Sequence, residues 1–446
     1  MASKFTSLPL KSGEAFLLQT DFSGNEIVIL VDSGKRDGTA LMEAILAQEP
    51  NLRNIDVAVC THQDTDHANG FRDFADVWID DGRTISEFWL PGSWAEALPR
   101  LLIDPDSVAE DLIEAAKQFV QDYRQRESSG LDLNDEEHGI SRYMKITADR
   151  MQRDRPSRTA TEQQRVDDSS DGHASKVARG LGLSVAETDL FRKIYSASEP
   201  WRFAHFSFSR GIRKHYYRNL TPGSEAAMLA AAAIDTAEII HNIASVAIEK
   251  DILVRWFDFH LFELGQLPNG GEKDLLEPVN SVETFPDPAT YSGLLLLMRL
   301  FLSRQNVESL VFYRPEHEAE PACLFLGDSR LAFGLSKPKG NFNMPPVIPQ
   351  TSIVITAAHH GSRVNDNAYA VIDSWLSTTS ARQFYVRNGG QKGQTLGAYV
   401  TKSERRCSQC VQCQYAGWTQ PVVLGGIHRQ WSWLPVKPLP CGTPKV

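Results

Sequence analysis

Between residues 26 and 60 the chain runs strand, helix, strand, and this rhythm restricts the fold more than any other feature. Glu26–Asp32 is an unbroken apolar run (Ile27, Val28, Ile29, Leu30, Val31) that predicts a buried strand, ending in the turn Ser33-Gly34. Gly38–Gln48 sets Leu41, Ile45 and Leu46 on one helical face. Ile55–Cys60 predicts the next strand, with Ile55, Val57 and Val59 alternating. A strand, helix, strand unit predicts a layered α/β domain. Phe16–Asp21 alternates weakly, and strand signals return at Ser309–Tyr313, Ala322–Leu326, Ser352–Ala358 and Gln383–Arg387. From about Pro91 to Gly271 helix-compatible stretches dominate, including Ser107–Arg126 and Glu225–Lys250. The polar stretch Thr147–Lys176 between them reads as a mobile loop or disordered segment. The simplest account is one α/β domain interrupted by a helical insertion and followed by a small cysteine-bearing tail.

The chemistry gathers directly after the strand Ile55–Cys60. His62, Asp64, Asp66 and His67 are four candidate metal ligands within six residues, at the carboxyl end of a strand, where open α/β folds carry their sites. Imidazole nitrogen with carboxylate oxygen suits Zn²⁺ or Mn²⁺. Asp64 or Asp66 would also cap a helix beginning at Ala68, but capping uses one of the four residues and explains neither histidine.

The run resembles the His-x-His-x-Asp-His motif of the metallo-β-lactamase superfamily, with Asp64 where the second His usually stands. In that form it is similar to the ComEC-type DNA-uptake nuclease domains and their stand-alone relatives. Other landmarks follow in order: Leu30-Val31-Asp32-Ser33-Gly34, Asn306-Val307-Glu308-Ser309, Phe325-Leu326-Gly327-Asp328 and Ala358-His359-His360-Gly361-Ser362. The resemblance implies an αββα sandwich split into residues 1–95 and 276–400, with a helical insertion at 96–275 and a Cys-rich tail at 401–446. It implies two divalent ions, Zn or Mn. His62 and Asp64 would hold one, Asp66 with His359 or His360 the other, His67 would complete the set and Asp328 would bridge. Asp66, Asp64 and Asp328 would be the catalytic carboxylates, with Asp66 taking the proton of the attacking water. Asp328 ends an apolar strand, where an uncompensated carboxylate is costly and a metal removes the cost. His359 and His360 end another strand, and adjacent side chains on an extended chain point to opposite faces. One of them is therefore expected to bind metal and the other to pack, with His360 favoured. Asp32 would orient the ligand loop through hydrogen bonds. Asn306 and Ser309 would support the site or meet substrate, and Arg387 is the favoured substrate contact. The family's third histidine has no clear match, since His241, His260 and His317 fall in helical or polar-turn contexts.

The activity implied is hydrolysis of a phosphodiester, with nucleic acid as the expected substrate. Hydrolysis of a small phosphodiester or ester is the second reading. A metal-bound scaffold that recognises a protein partner through the insertion is the third. Relatives of this kind sit beside NTPase partners, so the resemblance also implies an NTPase partner. Gly389-Gly390-Gln391-Lys392-Gly393 has the wrong spacing for a P-loop and reads as a turn.

Four of the six cysteines, Cys407, Cys410, Cys413 and Cys441, cluster late in the chain and suit a structural zinc. His428 is an alternative ligand, and an iron–sulfur cluster or free thiols are the other uses of such a set. Cys60 and Cys323 lie in apolar runs and read as buried thiols. Residues 381–446 hold nine Lys or Arg against one acid, Glu404, in a chain of net charge −10. Aromatics interleave with these cations (Phe384, Tyr385, Tyr415, Trp418, Trp431, Trp433), either as a base-stacking surface or as the core of a tail module. No run reaches the roughly 20 apolar residues of a membrane span, and the first residues lack the apolar core of a signal peptide. A cytoplasmic protein without membrane contact is expected.

Overall fold

A computed structural model describes residues 3–35, 37–95, 97–128, 172–196, 224–286, 294, 296–298, 300, 308–333, 340–389, 394–409 and 419–434. Its first strands, β1 (Ser3–Ser7), β2 (Phe16–Phe22) and β3 (Asn25–Val31), form an antiparallel meander. Helix α1 (Gly38–Gln48) then leads to β4 (Asn54–Val59), and α2 (Phe71–Asp80) to β5 (Thr84–Pro91). These two strands extend the sheet in parallel. The apolar run of β3 is buried on both sides because α1 and α2 cover one face, as a parallel arrangement requires. Asp37 caps α1, its carboxylate accepting from the Ala40 N–H at 2.9 Å. Helix α2, which the apolar pattern of the opening residues does not announce as clearly, lays Phe71 edge-on against Phe88 of β5.

The chain separates into two compact units. One comprises Met1–Pro91, Phe257–Glu283 and Asn306–Val446, the other Gly92–Trp256 and Thr284–Gln305. In the first unit β7 (Glu277–Pro278), β9 (Phe312–Arg314), β10 (Ala322–Phe325), β11 (Ser352–Thr356), β12 (Arg382–Arg387) and β13 (Arg405–Cys407) make a second sheet, ordered β13-β12-β11-β10-β9-β7. Strands β10 to β13 run parallel. The two sheets share one apolar core, in which Phe5, Phe16 and Val59 of the first meet Phe325, Val354 and Phe384 of the second. On the outer face of the second sheet, Leu324, Ile355 and Tyr385 pack with Tyr369 and Ile372 of the helix Asp366–Leu376.

The late segment departs from expectation. Rather than a module of its own, its described part completes both sheets. β13 pairs with β12, while β14 (Val422–Ile427) pairs antiparallel with β1 and β15 (Gln430–Trp433) with β14. The reason is apolar: Val422, Leu424 and Trp431 have no core except the shared one, and Trp431 packs edge-on to Phe5 while its Nε1–H donates to the Ala322 carbonyl at 2.7 Å. Phe384 lies in that shared core and Tyr385 on the outer face of the second sheet, both buried, so neither is a base-stacking surface. Trp433 packs edge-on to Phe384 and lies under the Arg406 guanidinium. Tyr415 and Trp418 lie outside the described residues.

The strands β6 (Leu253–Asp258) and β8 (Val282–Thr284) fall at the boundaries of the second unit, which is otherwise mainly helical where described. The helix predicted at Ser107–Arg126 spans Pro105–Ser128, and the one predicted at Glu225–Lys250 spans Glu225–Glu249. The latter is long and apolar enough to cross a membrane by length and composition, and most of it is buried. Of the polar stretch Thr147–Lys176, the end is helical from His173, in a helix running to Gly180. Residues 147–171 lie outside the described residues.

Candidate metal centre

Four turns, each at the carboxyl end of a strand, meet in the first unit. Asp32 follows β3, the run Thr61–His67 follows β4, Gly327-Asp328 follows β10, and His359-His360 follows β11. Parallel register sets neighbouring ends side by side: the Asp32 N–H donates to the Val59 carbonyl at 2.8 Å and the His359 N–H to Gly327 at 3.0 Å. The two pairs are joined by the Leu310 N–H, which donates to the Thr61 carbonyl at 2.9 Å. Two glycines permit this convergence. A Cβ on Gly13 (φ +88) would come within 2.3 Å of the Asp66 carbonyl, and one on Gly327 (φ +48) within 2.5 Å of Ser309 Oγ.

Hydrogen bonds fix the orientation of four imidazoles. The Thr61 hydroxyl donates its one proton to Asp32, so it accepts from His62 Nδ1–H at 2.9 Å. His67 Nδ1–H donates to Asp32 Oδ2 at 2.8 Å. His360 Nδ1–H donates to the Asn388 carbonyl, which can only accept, at 2.8 Å. The Asn365 amide donates to the Asp328 carbonyl at 2.7 Å, leaving its Oδ1 to accept from His359 Nδ1–H at 3.2 Å. All four rings therefore keep Nε2 for the interior of the site. Nε2 of His62, His67 and His359 lies 3.4, 3.5 and 3.5 Å from the Asp328 carboxylate, and Nε2 of His360 lies 3.2 Å from Asp66 Oδ2. Nε2 of His62 and of His67 is buried without a hydrogen bond among the described residues. Buried ring nitrogens aimed at a buried carboxylate are the donor set a divalent cation takes.

The charges are strongly coupled. Burial alone would push the His62 imidazole down, but Asp328 and Asp64 hold it well above its ordinary pKa. Burial and His62 depress His67, yet Asp32 and Asp328 raise it to about 9. For Asp328 burial opposes ionisation, and His359, His67 and His62 overcome it, so the carboxyl stays far below the usual range. Asp66 is likewise lowered against its burial, chiefly by His360. The site thus attracts positive charge beyond what its own side chains carry at high pH.

Access is one-sided. Asp64, Asp66 and His359 keep 31, 24 and 30% of their side chains exposed, whereas His62, His67, His360 and Asp328 are buried. Asp64 stands 3.8 Å from His62 Nε2. The two adjacent histidines correct the sequence-based picture of one ligand and one packing residue. The backbone there is left-handed, with φ +46 at His359 and +51 at His360, so both rings reach the cluster. His359 supplies a fourth imidazole to the cluster. His260 and His317 bond elsewhere, to Glu263 and Glu318, and His241 is in the other unit.

Among the remaining expectations, Asp32 holds the ligand loop through Thr61 and His67, and Ser309 Oγ accepts from the Asp328 N–H at 2.9 Å. Arg387 is 0% exposed, so it does not present its guanidinium to a macromolecule. Cys60 and Cys323 are buried, and Cys60 donates to the His62 carbonyl at 3.2 Å. Cys407 is a buried thiol bonded to the Gln409 carbonyl. Asn306, Cys410, Cys413, Cys441 and residues 390–393 lie outside the described residues. Sequence reasoning missed Glu14, Asn365 and Asn388. The one available signal was an acid at Glu14 set between Gly13 and an apolar strand.

These features define a buried cluster of histidines and carboxylates at strand ends that could hold a metal ion. A family model of the metallo-beta-lactamase superfamily matches residues 10–138, a span that includes Glu14, Asp32 and the whole His62–His67 run. That superfamily is mostly metal-dependent hydrolases, and the buried group His62-His67-Asp328, able to hold an ion, agrees with that class. Searches of curated proteins and of solved structures found no match.

Proposed function

We propose that this chain is a metal-dependent phosphodiesterase of the αββα metallo-β-lactamase type, acting on nucleic acid. The observation that carries the metal reading is the convergence of four Nδ1-anchored imidazoles, each presenting Nε2 to Asp328 or Asp66. His62, His67 and His359 with Asp328, and His360 with Asp66, would hold the ions, with Asp64 beside His62. Seven donors exceed the four that one Zn²⁺ takes, so the set is enough for two. Bound ions supply a Lewis acid for a phosphoryl oxygen and lower the pKa of water toward neutrality. Asp32, Asn365 and Asn388 hold the rings in one tautomer. Substrate enters over Asp64, Asp66 and His359, the exposed members of the site. Asp66 and Asp64, on that open side, accept the proton of the attacking water.

Support for a phosphodiester comes from charge. Lys35, Arg330 and Arg363 each follow an acidic or histidine turn of the site by two or three residues; Lys35 and Arg363 are exposed and Arg330 half-buried. Exposed Arg382 and Arg429 add to the basic late segment. The test is a cleavage panel with chain reloaded with Zn²⁺ or Mn²⁺. Single- and double-stranded DNA or RNA is expected to be cut, and activity is expected to vanish with EDTA and in Asp64→Ala and Asp328→Ala. Cleavage of bis-p-nitrophenyl phosphate alone would replace nucleic acid with a small diester. Retained metal with no cleavage of any substrate would favour the scaffold.

A further inference from the structure

We infer that Glu14 is a positioning residue that sits behind both His67 and His360 and sets how tightly they hold a cation, an inference that rests on the metal reading above. Glu14 begins the segment entering β2, and its backbone is pinned to the site. Its N–H donates to the Asp66 carbonyl at 2.9 Å, and its carbonyl accepts from the Gly34 N–H at 2.8 Å. Its side chain is 1% exposed. Oε1 lies 3.1 Å from His360 Nδ1 and Oε2 3.8 Å from His67 Nδ1.

Neither Glu14 oxygen makes a hydrogen bond among the described residues. Each neighbouring Nδ1 has only one proton, already donated to Asn388 or to Asp32. Glu14 is therefore not needed to satisfy either ring, and an enclosed carboxylate without hydrogen bonds is costly to the fold. Positive charge on the two rings offsets that cost, and a proton or a cation on their Nε2 atoms supplies it. Because the carboxylate faces Nδ1, it acts from behind the rings and is not itself a ligand on the Nε2 side. Its charge makes both imidazoles better donors, the role carboxylates play behind metal-bound histidines.

The experiment compares full-length wild type, Glu14→Gln and Glu14→Asp, all stripped of metal, for Zn²⁺ affinity by competition with a chromogenic chelator and for melting without metal. Glu14→Gln is expected to weaken Zn²⁺ binding roughly 10–100-fold, and Glu14→Asp, which keeps the charge, to recover part of the loss. Wild-type affinity in Glu14→Gln overturns the inference. So does a Glu14→Gln chain that fails to fold without metal, since Glu14 would then serve the fold. Wild type that binds no Zn²⁺ overturns the metal reading itself, a result distinct from the other two.

Discussion

Asp328→Asn removes one charge from the centre of the site and leaves the shape. The carboxylate is buried, with three Nε2 atoms within 3.5 Å, so no solvent replaces it. Losing the charged partner from an enclosed pair costs about 3–5 kcal/mol, which at about 1.4 kcal/mol per tenfold weakens cation binding by two orders of magnitude or more. With free Zn²⁺ at about 1,000 times the wild-type Kd, wild type gains about 4.1 kcal/mol of stability. A variant weakened about 100-fold gains only about 1.4 kcal/mol at the same concentration. For a domain of this size class each kcal/mol is about 2–4 °C. The metal-dependent rise in melting temperature of Asp328→Asn is thus expected to fall short of wild type by about 5–11 °C. The assay is a thermal melt of stripped protein with titrated Zn²⁺, read by intrinsic fluorescence. Asp328 also holds the protonated His62 and His67 rings in the metal-free chain, so metal-free Asp328→Asn is expected to melt below wild type, and the comparison is of each protein's own Zn²⁺-dependent rise. An equal rise in both proteins would refute the placement of Asp328 among the ligands.

Gly13→Ala should unfold in urea at a clearly lower midpoint, a loss of about 2 kcal/mol or more, because the new Cβ meets the Asp66 carbonyl at 2.3 Å in left-handed backbone. A wild-type midpoint would show that the turn yields. His67 is raised to about 9 in the folded, metal-free chain, so its contribution is complete below its unfolded value near 6.5 and is lost as pH climbs through about 9. Metal-free melting should therefore drop over that window. The Zn²⁺-dependent rise should grow, since the cation no longer displaces a proton; a rise independent of pH would count against His67 as ligand. Trp431→Ala should cost about 3–5 kcal/mol in denaturant titration, whereas a separate tail module would leave the main transition unmoved.

Much of the first sheet is legible because its residues state their own environment. Ile27–Val31 has no polar face, and Asn25–Val31 forms a strand buried between layers. Gly38–Gln48 forms within its predicted bounds. The site was legible where ligands crowd one loop, as at His62–His67, and where a carboxylate ends an apolar strand, as at Asp328. What failed depends on distant partners. Nothing near Val422 tells that its strand will pair with Ser7. Nothing in His359-His360 shows that the backbone turns left-handed; that follows from the Gln394 amide donating to the His359 carbonyl and from Gly361 lying against Tyr399. Glu14 escaped because a lone acid before a strand is ordinary until folding encloses it.

The pairing of β1 with β14 has a consequence for timing. These strands are among the first and last described, and Phe5 lies opposite Leu424. During synthesis the early meander waits, with one edge of β1 bare, until Val422–Ile427 has emerged. Such remote closure is slow, and the waiting edge invites pairing with other chains. A product cut short before Val422 keeps every proposed ligand yet leaves that edge of the sheet open.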